Sequence, residues 1–326
     1  MPVPDIADIR KAAERLKDKA VLTPLIRCHY LDEKTGASVF LKPECLQVTG
    51  TFKFRGAYNA ISALVEAGEA ADVVACSSGN HAQGVAEAAR LLGVKATIVM
   101  PSDAPAIKVA RTKRSGAEIV FYDRQTEDRD AIAADITERT GAAFIHPYDN
   151  FNVMAGQGTC GLEIAGQLAE RGRAPDHVFV CTGGGGLTAG VAIAVHDAFP
   201  QAKIHTVEPE GFDDYRRSLE KGERVANQRL SGSACDALMA PMPGELTFAV
   251  NRQHVDSGFV VTDEQAFAAM RFAFEELKLV LEPGGAVALA AVLGAGDILR
   301  GQTATCVLSG GNVDASLFAR VIGAKP

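Results

Sequence analysis

Short apolar runs alternate with helical patterns along most of the chain from about residue 72 onward. The apolar runs are rich in β-branched residues and lack the alternation of a half-exposed strand, which indicates parallel strands buried on both faces. The predicted strands cover residues 73–76, 96–100, 118–122, 143–146, 178–181, 204–207 and 305–308. The predicted helices cover residues 81–92, 104–115, 128–140, 155–171, 187–199, 263–279 and 284–294. This order predicts the α/β class, with parallel sheets flanked by helices.

The length of the chain, 326 residues, predicts two lobes, because a single core rarely grows so large. A polar turn at 147–150 follows the first group of strand–helix units and marks a boundary. A helical pattern at 58–67 precedes those units, so one lobe is expected to be inserted in the other. We expect a small substrate-side domain at residues 72–150. Residues 1–71 and 151–326 would form the large cofactor-binding domain.

Composition and charge exclude several classes of partner. The chain is 47% hydrophobic and 22% charged, and its net charge of -7 provides no basic surface for nucleic acid or an anionic membrane. No apolar run approaches the roughly 20 residues of a membrane span. The N-terminal residues form an amphipathic charged pattern rather than a secretion signal. The seven cysteines form no CxxC pair, which favours reduced thiols. These features predict a cytoplasmic protein without nucleic-acid or membrane partners.

Lys53 is the first candidate for chemistry. It lies between Phe52 and Phe54, after a threonine–glycine turn and before the helical pattern at 58–67. Apolar neighbours disfavour a charged ammonium, so burial would lower the pKa of Lys53 and leave a nucleophilic amine that can form a Schiff base with an aldehyde cofactor. The alternative is a lysine that packs its stem at a helix start and keeps its charge in water.

A run of four glycines, Gly183 to Gly186, follows a predicted strand and precedes Leu187 at the start of a predicted helix. Such a loop directs backbone N–H groups at an anion, and a phosphate suits it. A dinucleotide site is the competing interpretation, because Gly184, Gly186 and Gly190 form a variant GxGxxxG and Glu208 ends the next strand. A structural tight turn is the third.

Two further loops follow predicted strands. Residues 77–84, SSGNHAQG, offer hydroxyls and helix-start N–H groups that suit a substrate carboxylate, although a serine there could simply cap the helix. Ser309, in the SGGN segment, could meet a heterocyclic nitrogen or could be an ordinary turn residue.

An acidic loop follows the strand predicted at 204–207. Glu208, Asp214 and the carbonyl of Phe212 could hold a hard cation through oxygen ligands, and a solvated acidic turn is the alternative. The seven histidines show no metal-binding spacing such as HxxxH.

Four segments in this order, TFKFRGA, SSGNHAQG, GGGGLTAG and SGGN, resemble the fold type II pyridoxal-phosphate enzymes, whose two-lobed fold is like that of tryptophan synthase β. The resemblance covers essentially the whole chain and is strongest to the serine/threonine dehydratase and serine racemase group. Sulfhydrylases and threonine synthases of the same fold have a different residue after the lysine, typically an acidic one, and a threonine after the SGN motif. Here Phe54 follows Lys53 and His81 follows Asn80, which favours elimination over β-replacement.

The resemblance implies a role for each of these residues. Lys53 would hold the cofactor and remove the α-proton, with Phe52 packed against the pyridine ring. Asn80 would bond the ring hydroxyl, and Gly183 to Gly186 with Leu187 would hold the phosphate. Ser309 would meet the pyridine nitrogen. The residues implied for binding the substrate are Ser77, Ser78, Asn80, His81, Arg129 and Asp236.

The activity implied is loss of water and ammonia from a small β-hydroxy amino acid such as threonine, serine or 3-hydroxyaspartate, giving a 2-oxo acid. Ser78 leaves racemisation open, because the matching serine of eukaryotic-type serine racemases acts on the α-carbon. Arg129 would suit a second carboxylate if it turns inward, or would pair with acids on its own helix. An apolar Ala240 near Asp236 leaves room for a substituent larger than that of serine.

The resemblance also favours a structural Mg²⁺ or Ca²⁺ at the acidic loop, on Glu208, the Phe212 carbonyl and Asp214. It implies a homodimer and a small-molecule amino-acid substrate. An NAD(P)-dependent oxidoreductase is a distant alternative, but it leaves Lys53 unexplained. A non-catalytic amino-acid-binding protein is another alternative, but such a protein needs no Schiff-base lysine.

Overall fold

The computed structural model describes residues 2–69, 72–77, 79–104, 106–123 and 125–324. The strands are β1 Ile26–Arg27, β2 Ser38–Pro43, β3 Asp72–Cys76, β4 Lys95–Pro101, β5 Glu118–Tyr122, β6 Ala143–Phe144, β7 His177–Cys181, β8 Lys203–Pro209, β9 Val255–Val261 and β10 Thr303–Leu308. The helices are α1 Ile6–Leu16, α2 His29–Thr35, α3 Lys53–Ala67, α4 Asn80–Leu92, α5 Ala106–Arg114, α6 Arg129–Thr140, α7 Phe151–Ala169, α8 Gly186–Ala198, α9 Asp214–Lys221, α10 Glu245–His254, α11 Asp263–Phe272, α12 Pro283–Gly294 and α13 Ala315–Gly323.

The strands form two sheets. The larger has the order β1-β2-β10-β7-β8-β9, and only its β1–β2 pair is antiparallel. The smaller has the order β5-β4-β3-β6 and is parallel throughout. Central strands such as β7 are buried at every position, because helices cover both faces. The expected α/β class with parallel sheets flanked by helices is confirmed.

Helices α7 and α8 pack unusually closely, and glycine makes this possible. A Cβ at Gly161 would lie 2.7 Å from the Cα of Val191, and one at Gly190 would lie 2.5 Å from the carbonyl oxygen of Met154. Because real Cβ atoms never approach other atoms so closely, these positions exclude side chains. The contact fixes where α8 begins, and therefore where the glycine-rich loop before it lies.

All of the predicted strands and helices are present, with ends that shift by a few residues. The helix predicted at 263–279 is α11 followed by a π-helical turn at Ala273–Leu277. The pattern did not predict β1, β2, β9, α2, α9 or α10. All seven cysteines are free thiols. In the described part of the chain, no helix combines the length and apolar character that crossing a membrane requires.

Candidate active site

The carboxyl ends of strands from both sheets border a cavity of about 350 Å³. Ligands of open α/β sheets bind at this edge. The predicted site residues that line the cavity are Phe52, Lys53, Ser77, Asn80, His81, Arg129, Gly183, Gly184, Gly185, Gly186, Leu187, Asp236 and Ser309. Ser78 lies outside the described residues. The structure thus brings together segments that are far apart in the sequence.

Lys53 begins α3, and its amine reaches into the cavity. Two backbone contacts tie this helix start to the end of β10: Phe52 N–H donates to the Ser309 carbonyl at 3.1 Å, and Thr51 forms a bridge with Gly310. The Lys53 amine donates to the Pro147 carbonyl at 2.8 Å. Desolvation lowers the pKa of Lys53 from 10.5 to about 8. A neutral, nucleophilic amine is therefore accessible near neutral pH.

The glycine-rich loop leaves β7 and leads directly into α8. Gly185 has φ +89°, a conformation that favours glycine, and a Cβ at Gly184 would collide with the Tyr148 ring. The backbone ladder of the helix begins where Ala189 N–H donates to the Gly185 carbonyl. The N–H groups of Gly186 and Leu187 therefore have no intrahelical partner, and they stand at the cavity wall where an anion can accept from them.

The structure gives other roles to Gly190 and Glu208, the two residues that favoured a dinucleotide site at this loop. Gly190 is needed for the packing of α8 against α7 rather than for a ligand. Both carboxylate oxygens of Glu208 accept backbone N–H groups at the start of α9, from Tyr215 at 2.7 Å and from Arg216 at 2.8 Å. Glu208 is fully buried and does not line the cavity, so it offers nothing to a ribose.

The loop after β3 provides a second anion site at the start of α4. Ser77 accepts from Gly79 N–H at 3.1 Å, which shapes the turn. The side chain of His81 contacts the carbonyl of Ile145 through Nε2 at 2.8 Å, so Nε2 carries the proton. Burial and the nearby Lys53 charge lower the pKa of His81 to about 3, which keeps the ring neutral. Its Nδ1 therefore carries a lone pair, and His81 can offer a carboxylate its backbone N–H but no side-chain N–H.

Ser309 follows β10 and is buried beside Cys181, the last residue of β7. A hydrogen bond from Ser309 lowers the pKa of the Cys181 thiol, but burial outweighs it and the pKa is raised. The thiol is therefore protonated and unreactive. Ser309 lines the cavity next to the start of α3.

Arg129 and Asp236 lie at the open side of the cavity. Arg129 is the first residue of α6; its side chain is 48% exposed and lies 3.6 Å from Asp130. Asp236 accepts from the Lys108 amine at 2.7 Å, which joins the segment of the smaller sheet to that of the larger. Arg129 is thus both paired on its own helix and present at the cavity.

Sequence reasoning missed Glu282, Lys108, His146 and Tyr148, which all line the cavity. Glu282 is buried and accepts from Asn80 Nδ2 at 2.6 Å. Burial, followed by the nearby charge of Asp236, raises the pKa of Glu282 to about 7. The signal available in the sequence was a lone acid within the apolar stretch LVLEPGGAVAL.

The acidic loop joins β8 to α9 and does not line the cavity. Asp214 is buried, and its Oδ2 has no hydrogen-bond partner. Burial raises the pKa of Asp214 to about 7, and burial together with the charge of Asp214 raises the pKa of Glu208 far above its usual value. In the described part of the chain, no group of three or more His, Cys, Asp or Glu side chains could hold a metal ion. The cation expected on Glu208, Asp214 and the Phe212 carbonyl stays a prediction.

Comparisons with known proteins agree with this geometry. The family model "Pyridoxal-phosphate dependent enzyme" matches residues 17–310. An L-threo-3-hydroxyaspartate ammonia-lyase from Pseudomonas sp is 44% identical over 318 residues, 97% of each chain. A serine racemase from Schizosaccharomyces pombe is 38% identical over 320 residues, 98% of each chain. The crystal structure of a threonine deaminase from T.th. has a TM-score of 0.90 at 43% identity and covers 95% of this chain and 99% of that chain.

The chain therefore belongs to the pyridoxal-phosphate dependent enzymes, and the resemblance inferred from its four segments is confirmed. The residues present fit the cofactor. The cavity contains a desolvated lysine amine for the aldehyde, a helix start without side chains for the phosphate, and a neutral hydroxyl for the ring nitrogen.

Proposed function

We propose that the protein is an ammonia-lyase that eliminates water and ammonia from a small β-hydroxy amino acid and releases a 2-oxo acid. The observation that carries the proposal is the desolvated amine of Lys53, which shares one cavity with the starts of α4 and α8. One helix start suits a phosphate and the other suits a carboxylate. The relatives named as L-threo-3-hydroxyaspartate ammonia-lyase and threonine deaminase support the same reaction class.

Pyridoxal phosphate, when bound, supplies an aldehyde that captures amines and a ring that withdraws electrons from the α-carbon. In our proposal Lys53 holds the cofactor, and Gly183 to Gly186 with Leu187 bind its phosphate. Phe52 would pack against the ring, Asn80 would donate to the ring hydroxyl and Ser309 would meet the ring nitrogen. A serine hydroxyl would not keep that nitrogen protonated as a carboxylate does, and this choice of residue would suit elimination of a β-leaving group.

Lys53 is also the proposed base. Its pKa of about 8 leaves roughly a tenth of the amine neutral at pH 7, far more than for an ordinary lysine, and a neutral amine can accept the α-proton of the substrate. The Pro147 carbonyl holds the amine in one direction by accepting one of its hydrogens. A positioned general base typically contributes about 10²–10⁴-fold to the rate.

The substrate carboxylate is proposed to bind at the start of α4, on Ser77, Ser78 and the backbone N–H groups of Asn80 and His81. A second carboxylate would meet Arg129 at the open side of the cavity, near Asp236. Arg129 binds carboxylates well because its planar guanidinium presents parallel donors. This arrangement favours 3-hydroxyaspartate, in agreement with the name of the relative from Pseudomonas sp.

Racemisation is the second candidate function. The S. pombe relative is named a serine racemase. The family resemblance implies in addition that Ser78 could act on the α-carbon. The alternative is a racemase with side dehydratase activity. Racemisation returns the substrate as its mirror image, whereas elimination consumes it, so chiral analysis of the remaining substrate separates the two activities.

Four properties complete the proposal. Residues 72–150 form the substrate-side domain, and residues 1–71 and 151–326 form the cofactor-binding domain. Glu208, the Phe212 carbonyl and Asp214 bind a structural Mg²⁺ or Ca²⁺, which the unpartnered Oδ2 of Asp214 supports. The chain forms a homodimer. It functions in the cytoplasm.

The test is a substrate screen. Wild-type protein loaded with cofactor is incubated with the L and D forms of serine, threonine, 3-hydroxyaspartate and phenylserine. Release of ammonia with the matching 2-oxo acid is expected for at least one β-hydroxy amino acid, and the Lys53→Ala variant should release almost none. Ammonia release by Lys53→Ala at a rate close to wild type, or racemisation without ammonia, would overturn the proposal.

The contribution of Arg129 is tested with a matched pair of variants on α6. Arg129→Gln should raise KM for 3-hydroxyaspartate about tenfold, as expected for the loss of one charge-assisted hydrogen bond, and should leave threonine almost unaffected. Arg139, which pairs with Asp135 on the solvent side, provides the control as Arg139→Gln. Equal effects of Arg129→Gln on both substrates would contradict the assignment.

A further inference from the structure

A directional chain of hydrogen bonds ends on the residue proposed to meet the cofactor hydroxyl. Arg111 Nη1 donates to Asn312 Oδ1 at 3.0 Å. Asn312 Nδ2 donates to Asn80 Oδ1 at 2.8 Å. Asn80 Nδ2 in turn donates to Glu282 Oε1 at 2.6 Å. We call these four residues the amide relay.

The two ends of the amide relay determine the orientation of both amides between them. A guanidinium can only donate hydrogen bonds, and an ionised carboxylate can only accept them. At pH 8, above its pKa of about 7, Glu282 is mostly ionised. With Arg111 at one end and Glu282 at the other, only one orientation of Asn312 and Asn80 pairs every donor with an acceptor. In the other orientation of Asn80, its oxygen would face the oxygen of Glu282.

A further contact secures the same orientation of Asn312. Its Nδ2 also donates to the carbonyl of Thr49 at 2.8 Å. Thr49 has φ +70°, a left-handed conformation that is costly for a β-branched residue and that is held by the turn before α3. Both hydrogens of Asn312 Nδ2 are therefore used. Among the residues that the structure describes, Asn80 Nδ2 donates only to Glu282, which leaves its second hydrogen available.

We infer that Glu282 is a positioning residue, which acts through Asn80 by directing the remaining N–H of Asn80 Nδ2 at the ring hydroxyl of the cofactor. The inference rests on the proposed contact between Asn80 and that hydroxyl. Glu282 fits this role because it is buried and lines the cavity. The charged groups that face it are Asp236 and Lys108, and the Cys45 thiol lies nearby.

The test compares two substitutions of nearly equal size. In Glu282→Gln the amide oxygen can still accept from Asn80, whereas in Glu282→Met no strong acceptor remains. Affinity of the full-length protein, freed of cofactor, is measured at pH 8 for pyridoxal phosphate and for its 3-deoxy analogue, which lacks the ring hydroxyl. Glu282→Met should bind pyridoxal phosphate at least about tenfold more weakly than wild type does. It should bind the 3-deoxy analogue as tightly as wild type binds that analogue. Glu282→Gln should stay within about threefold of wild type for both ligands.

Three results would overturn the inference: no loss in Glu282→Met, the same loss for both ligands, or a loss in Glu282→Gln as large as in Glu282→Met. If Glu282→Met does not fold, Asn312→Asp provides the test, because its carboxylate would face Asn80 Oδ1 and should cause the same selective loss. Wild-type protein that binds both ligands equally well would show instead that the contact of Asn80 with the hydroxyl is wrong, and the inference would fail with it. Substrate turnover is not needed for any of these readings.

Discussion

At the scale of single residues, the site depends on placing ionisable groups where water cannot stabilise their charge. The Lys53 amine loses hydration without gaining an acidic partner among the groups that shift its pKa, so desolvation lowers that pKa. Glu282 is also desolvated and responds in the opposite direction, because its charged form is the deprotonated one. One cavity thus makes a base available as the free amine and keeps an acid partly protonated near neutral pH.

The low pKa of Lys53 predicts the pH at which cofactor attaches. In protein freed of cofactor, the attachment rate should rise with pH to a midpoint of about 8, because only the neutral amine attacks an aldehyde. Stopped-flow absorbance measures this rate, and a small-molecule primary amine measured in parallel controls for ionisation of the cofactor. A midpoint near that of an ordinary lysine, about 10.4, would contradict the desolvation argument.

Arg55 illustrates a residue whose role is stability rather than chemistry. It is fully buried two positions after Lys53 and forms hydrogen-bonded ion pairs with Glu44 and Glu163. Burial would raise the pKa of Glu44, but the charge and hydrogen bonds of Arg55 outweigh burial and lower it. This stabilisation is therefore present at neutral pH and is lost as pH falls through the lowered pKa of Glu44.

We expect Arg55→Met to lower the free energy of unfolding by about 3–5 kcal/mol, because it leaves the buried Glu44 without its ion-pair partner. Glu163 also loses Arg55 but keeps its ion pair with Lys42. Urea denaturation measures the change. Arg10→Met is the control, since Arg10 pairs with Asp197 at the surface and should cost less than about 1 kcal/mol. Similar costs for the two variants would show that the buried ion pairs do not stabilise the fold.

At the scale of elements, the contact of α7 with α8 links packing to the phosphate site. Gly161 and Gly166 lie on the same helix, α7, but a Cβ at Gly161 would lie 2.7 Å from Val191, and one at Gly166 would meet nothing within 4 Å. A side chain at Gly161 must therefore push α8 away. The glycine loop, which leads directly into α8, must move with it.

Gly161→Ala should destabilise the protein by about 1–3 kcal/mol, as overpacking usually does, and should weaken pyridoxal phosphate binding. Gly166→Ala should instead stabilise it by up to about 1 kcal/mol, because alanine is the better helix former. Thermal unfolding and cofactor titration of both variants measure the effects. Equal stability of the two variants would contradict the close packing.

The elements that the sequence predicted are those with a strong local pattern. Buried strands such as β7 are continuous apolar runs, which only a core position explains. Strand β9 escaped prediction because it lies at a sheet edge, where Asp256 and Ser257 remain exposed. Strand β2 carries Lys42 among its apolar residues. The charge of this buried lysine is paired with Glu163, far along the chain, and its amine also donates to Thr23 and Gln167.

At the scale of the whole molecule, the active site is formed where the two sheets meet. Glycine loops and the lysine could be predicted because each has a sequence signature of its own. Glu282 and Lys108 could not, because each joins the site through a partner more than a hundred residues away, Asn80 and Asp236 respectively. The residues proposed to bind the cofactor could be predicted from local segments of the sequence. The charged groups that surround them and shift their pKa values depend on the complete fold.

The proposed cation would stabilise the molecule from outside the active site. Without a cation, Glu208 and Asp214 have raised pKa values, so they bind protons near pH 7. Mg²⁺ or Ca²⁺ should therefore raise Tm at pH 8. A hundredfold excess of cation over Kd adds about 2.7 kcal/mol to the free energy of unfolding. The rise should be smaller at pH 6, where protons compete for the carboxylates. Asp214→Asn should abolish the rise, while Asp297→Asn, at an exposed site, should keep it. Wild-type protein whose Tm responds to neither cation would contradict the site.

The most direct test of the account is to find the residue that carries the cofactor. The cofactor-loaded protein is reduced with borohydride, which makes the link permanent, and its peptides are analysed by mass spectrometry. We predict that the reduced cofactor is found on Lys53 and that the Lys53→Ala variant carries none. Cofactor on a different lysine, or an unmodified Lys53 in fully loaded protein, would contradict the account.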